Sequence, residues 1–164
     1  MKLNEFNQAD EADARQAIAH CVAIAAWQQA LVAARPYASL SALAGQAQQL
    51  AQRWQQAELE QALSAHPRIG EAALGTAHEA TLSRQEQAAM QQADRDLQLA
   101  MRAGNQAYEA RFGRVFLIRA SGRSAEQMLA ELQRRLNNNK ACEQQETLAQ
   151  LREITLLRLK ESII

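Results

Sequence analysis

Residues 83–113 read SRQEQAAMQQADRDLQLAMRAGNQAYEARFG, and this stretch sets the fold class. From Ser83 to about Arg111 it is made of strong helix formers. Leu97, Met101, Asn105, Tyr108 and Phe112 recur at spacings of three and four that bring them to one side of a helix. Gly113 stands where a closing left-handed residue belongs, and Ser83 with Glu86 forms a capping-box pattern at the start. A helix with one apolar side has to bury it against other elements.

The segments on either side are helical too. Asp10 to Ala34 carries Ala14, Ile18, Cys21, Val22 and Ala25 on a shared face, with a break expected near His20 to Ile24 and a stop at Pro36. Ser39 is the expected N-cap of a helix that turns Leu40, Leu43, Ala47, Leu50 and Trp54 inward. A short helix from Gln55 to Ala65 ends at His66, because Pro67 disfavours the α conformation in the residue before it. Pro67 to Leu82, with Gly70 and Gly75, reads as loop. Val115 to Ile118 is β-prone and apolar, but with no second strand to pair it reads as an extended buried connector whose backbone groups need partners. Ser124 to Gln127 is a second capping box, opening a helix to about Leu136 that Asn137-Asn138-Asn139 closes. A last helix runs from about Cys142 to Lys160. The expectation is an all-α protein, an irregular antiparallel helical bundle of about seven to eight helices forming a single domain over residues 1–164.

The chain has 164 residues, and its 18 Lys and Arg balance 18 Asp and Glu. No net field draws it to nucleic acid or an anionic membrane. The first residues lack the apolar core of a secretory signal, and charges or Gln interrupt every apolar run before it could span a bilayer. A cytoplasmic protein is expected, with no membrane partner. Cys21 and Cys142 have no pair-like spacing and are expected to be reduced, buried thiols.

Several polar residues could carry chemistry. His66, held at a helix exit by a rigid following residue, can exchange protons near neutral pH, although a His there often only caps the preceding helix. Ser83, Glu86 and Gln87 lie on a helix start that suits an anionic ligand, and the same pattern is an ordinary capping box. Arg158 falls between Leu151 and Ile154 on an apolar face, so it is either buried with a partner or extends out from the last turn. His78-Glu79 lacks the second His of a zinc motif and His20 sits amid apolar residues, so no metal is implied. Arg123, Arg134 and Arg135 read as solvated charges.

His66-Pro67-Arg68-Ile69-Gly70, then Ser83-Arg84-Gln85-Glu86-Gln87, then Asn105-Gln106-Ala107-Tyr108 running into Phe112-Gly113-Arg114-Val115-Phe116 occur in this order. Together they make the chain resemble the 2-oxo-4-hydroxy-4-carboxy-5-ureidoimidazoline (OHCU) decarboxylases. The resemblance extends from Cys21, Trp27 and Arg35-Pro36-Tyr37 to Leu157-Arg158-Leu159. It implies His66 as the catalytic acid or base, acting with Glu86. It also implies a substrate pocket that includes Pro67, Ser83, Gln87, the backbone from Phe116 through Leu117, Ile118 and Arg119 to Ala120, and Arg158. Ala89-Met90 and Arg114-Val115 depart from the Gly-Leu and Phe-Pro common in relatives. The implied activity is a cofactor-independent decarboxylation of OHCU to (S)-allantoin in urate breakdown, by a lyase with a small-molecule substrate. An apolar patch on the terminal helices and the family's tendency to pair imply a homodimer. A different class, a non-catalytic helical module that binds another protein, has no need to bring His66, Glu86, Gln87 and Arg158 together.

Overall fold

The computed structural model describes residues 1–64, 66, 68–70 and 84–164. Among these residues every regular element is a helix: α1 Leu3–Gln8, α2 Glu11–Ile18, α3 Ala25–Ala33, α4 Leu40–Ala51, α5 Gln56–Leu63, α6 Ala88–Gln91, α7 Arg95–Phe112, α8 Ala125–Arg135 and α9 Lys140–Ser162. The fold is an all-α irregular bundle. No helix among the described residues is long and apolar enough to cross a membrane. The helices sort into two compact units, Met1–Ala62 with Arg152–Ile164, and Leu63–Leu151.

In the first unit the expected break in the Asp10–Ala34 segment is present. Asp10 caps α2 by accepting from the Asp13 N–H at 2.8 Å, α2 stops at Ile18, and α3 starts at Ala25. Ser39 caps α4 through the Ala42 N–H at 3.0 Å. The inward face of α4 differs from the expectation in detail. Leu43 and Ala47 are buried, but Leu40, at the first position after the cap, is 45% exposed. Trp54 lies beyond the end of α4 and reaches the core from the following turn, edge-on to Trp27 at 6.3 Å. Arg35 gathers carbonyl groups where helices end, donating to Phe6 O, Ala9 O and Val32 O at 2.5, 2.8 and 2.9 Å. A cation is favoured at helix C-termini.

The second unit is built on α7. Met101, Asn105 and Tyr108 are its buried side, as the spacing predicts. The long helix expected from Ser83 is interrupted, however. Asp94 accepts from the Leu97 N–H at 2.8 Å and caps a fresh helix, while Gln98 Nε2 donates to Gln91 O at 2.9 Å and closes α6. An Asp that can bond the backbone two or three residues on competes with helix continuation. Gly113, at φ +72°, ends α7 with its N–H on Glu109 O. Gly104 gives α8 room: a Cβ there would sit 2.5 Å from Leu132 Cδ2.

Residues 115–120 form no helix or strand, and Phe116, Leu117 and Ile118 are buried, as expected of the connector. Side chains hold two of its backbone groups. Arg135 Nη1 donates to Leu117 O at 2.7 Å, and the Arg119 N–H donates to Gln150 Oε1 at 2.9 Å.

Arg135 corrects the sequence reading, because it is not a solvated charge. It is 1% exposed, paired with the fully buried Glu143 at 2.6 Å, and lies over the Phe116 ring at 4.6 Å. Its position continues the buried stripe Met128, Leu132, Arg135 of α8. Tyr108 donates its hydroxyl to Glu143, and Arg135 Nη2 also reaches Thr147 Oγ1 at 3.1 Å. Cys142 is likewise exposed rather than buried, since Glu143, the next residue on the helix, takes the inward direction.

Burial alone would raise the Glu143 carboxyl, but the hydrogen bonds from Arg135 and Tyr108 and the Arg135 charge outweigh it and hold the group below the usual carboxylate range. Its contribution to stability is therefore complete above the ordinary Glu value and is lost as pH falls through the folded value. Glu143→Gln, which leaves a buried guanidinium without its counter-charge, is expected to cost about 3–5 kcal/mol at neutral pH. A thermal melt series from neutral to acid pH checks both points: the wild type should lose Tm more steeply than the variant as the carboxylate range is crossed. Asp94→Ala is expected to cost about 1 kcal/mol, read from the same melts, through loss of the α7 cap.

Candidate active site

His66 leaves the end of α5 by a tight turn in which its N–H donates to Leu63 O at 3.1 Å, so the expected helix exit is present. The imidazole is half-buried. The three residues at 68–70 are each fastened by a different group. Arg68 Nε pairs with Glu109 Oε1 at 2.8 Å, Ile69 O accepts from Asn105 Nδ2 at 2.7 Å, and the Gly70 N–H donates to Gln87 Oε1 at 3.2 Å. Gly70 has φ +92°, a conformation that L side chains rarely adopt.

Glu86 is half-buried on the helical turn 84–86, and Gln87 next to it is 5% exposed. Because Gln87 Oε1 accepts from Gly70, the amide nitrogen is the end left for other partners. Ile69, Met90, Phe116, Ile118 and Ala120 belong to one buried cluster, so the exit from His66, the Gln87 segment and the connector share a core. Met90 is fully buried in it. Pro67, Ser83 and the His78-Glu79 pair lie outside the described residues.

A cavity of about 260 Å³ lies beside this segment, lined by Arg68, Ile69, Gly70, Arg102, Asn105 and Glu109 among others. None of the described site residues expected from sequence is among its described lining. Arg158 belongs to the first unit. It is 1% exposed and donates from Nη1 to His20 O at 3.0 Å, so it is buried rather than extended to solvent. His20 is half-buried, with Nε2 2.5 Å from Ser162 Oγ. Among the described residues no cluster of three or more His, Cys, Asp or Glu could hold a metal ion.

The family model described as OHCU decarboxylase matches residues 7–160. The chain belongs to the OHCU decarboxylase family. A crystal structure of OHCU decarboxylase in the presence of (S)-allantoin is similar to it at TM-score 0.72 and 25% identity, over 87% of this chain and 94% of that one. A crystal structure of (S)-allantoin synthase shares the fold at TM-score 0.73 and 18% identity, covering 99% of this chain and 54% of that one. The chain thus spans about half the length of that second protein. No curated protein sequence matches it.

Membership in the OHCU decarboxylase family makes this chain a lyase of the decarboxylase type. Asn105 and Arg135 hold irregular backbone in this core and belong to no site expected from sequence. Both stand on buried stripes, at positions where an apolar side chain is the rule, and that is the signal that could have found them. Gly70→Ala forces a Cβ onto a left-handed backbone, where it would meet Met101 Cγ and Met90 Cγ in ordinary contact at 3.5 and 3.7 Å, so the cost is that of the backbone conformation. The variant is expected to lose about 1–2 kcal/mol in a denaturant melt while retaining its helical circular dichroism.

Proposed function

We propose that this chain decarboxylates OHCU to (S)-allantoin without a cofactor, with His66 and Glu86 as its acid–base pair. The observation that carries the reading is the family match over residues 7–160, which includes the His66 exit and the Glu86-Gln87 turn.

The chemistry explains why no cofactor is called for. The substrate carboxylate sits on the hydroxyl-bearing ring carbon, next to a ring C=N bond. As that C–C bond breaks and carbon dioxide leaves, its electron pair forms a C=C bond with the neighbouring carbon, and the C=N pair moves onto nitrogen, which takes a proton. The resulting enol gives up its hydroxyl proton to become a carbonyl, and the neighbouring carbon gains a proton on one face. One proton from solvent replaces the lost carbon dioxide, and the face protonated sets the (S) configuration.

His66 and Glu86 are suited to move the hydroxyl proton and return one to carbon, since one imidazole and one carboxylate can act as base and acid in turn. Gln87 would offer its amide nitrogen to a ring carbonyl. The connector from Phe116 to Ala120 would contribute backbone groups to the ring, and Leu117 O and the Arg119 N–H in it already have side-chain partners. Pro67 and Ser83 belong to the pocket in this reading, and Arg158, on the first unit, is the cation that the resemblance assigns to the ring and its ureido arm. A homodimer in the cytoplasm is part of the same proposal.

The test follows allantoin by circular dichroism while urate is converted to OHCU in place by the two preceding activities. An (S)-allantoin signal that rises quickly only with this protein supports the reading, and racemic decay at the spontaneous rate overturns it. His66→Ala and Glu86→Gln are each expected to lower kcat by about 10²–10⁴-fold. Wild-type turnover by either variant at saturating substrate would remove that residue from the mechanism.

A further inference from the structure

His66 lies in an irregular segment, where no repeating helical ladder fixes the main chain. Its N–H is tied to Leu63 O on one side. On the other side the chain is held by α7, through two side chains one turn apart: Asn105 bonds Ile69 O at 2.7 Å and Glu109 bonds Arg68 Nε at 2.8 Å. Asn105 is only 4% exposed, and it stands between Met101 and Tyr108 on the buried face of α7. An amide there gives up water for its partners, whereas Leu or Met would simply pack. What the amide provides is a bond to the backbone three residues after His66. Arg68, half-exposed, makes the outer tie to the same helix.

We propose that Asn105 is a positioning residue for His66, with the Arg68–Glu109 pair as a second, weaker tie. Together they fix the path of the main chain after the imidazole and so the direction in which the ring leaves it. This inference rests on the assignment of His66 as the acid–base group. A displacement of about 1 Å at a reacting group is enough to cost on the order of 10²-fold in rate.

Asn105→Ala, Arg68→Ala and, as a control for core damage, Met128→Ala would be compared by kcat, KM, Tm and the imidazole NMR titration of His66. The chain has only three histidines, so the His66 signal is identified by its loss in His66→Ala. Asn105→Ala is expected to lower kcat by about 10²-fold with KM changed little, and to shift or broaden the His66 signal. Met128 is fully buried in the same core, and its truncation is expected to lower Tm without moving kcat or that signal. Arg68→Ala is expected to lower kcat several-fold at unchanged Tm, and it decides the matter should Asn105→Ala fail to fold. A folded Asn105→Ala, or failing that Arg68→Ala, with wild-type kcat and an unmoved His66 signal overturns the inference while leaving the His66 assignment intact. Wild-type turnover by His66→Ala overturns the assignment itself.

Discussion

A guanidinium and a carboxylate buried together organise the second unit. Arg135 and Glu143 are 1% and 0% exposed, and neither charge could remain there without the other. The pair is satisfied almost completely by its surroundings. Tyr108 comes from α7, Arg135 from the end of α8, and Glu143 and Thr147 from α9, while Leu117 O and the Phe116 ring belong to the connector. Three helices and one irregular strand of chain are thereby fixed at a single point. Apolar residues of similar volume could fill the space, but they would offer the connector no hydrogen-bond donor. Its carbonyl at Leu117 would then be buried without a partner, which is the costlier outcome.

The same requirement recurs around His66 on a smaller scale. Helices satisfy their own backbone, whereas the segments between them depend on side chains brought from elsewhere. Asn105, Gln87 and Gln150 each supply an amide to such a segment. These amides reach main-chain groups at Ile69, Gly70 and Arg119, at or near residues that the family resemblance assigns to the substrate pocket. Polar residues within this core thus act as fasteners of irregular backbone, and the apolar cluster of Met90, Met101, Phe116 and Met128 supplies the bulk of the packing.

Much of this was legible along the chain because it depends on neighbours in sequence. Ser39, Ser124 and Gly113 mark helix ends through bonds to residues three or four away, and all three do so in the structure. The buried side of α7 followed from its spacing. Asp94 carries the same kind of local signal, but the surrounding helix formers favour an uninterrupted segment, and only the structure shows the cap at work. His66 at a helix exit was recognisable from Pro67, and Glu86 and Gln87 from the resemblance.

The fold class, the helix caps and the family were determined by the sequence itself, because periodicity, capping and motif order are written within a few residues of one another. Which polar side chains are buried, and what they hold, was decided by tertiary structure. Arg135 and Arg134 are adjacent and alike in sequence, yet one is buried against Glu143 and the Phe116 ring while the other faces solvent beside Glu131 and Glu146. Their difference comes from partners that lie on α9 and in the connector, and from the burial that makes a charge depend on them.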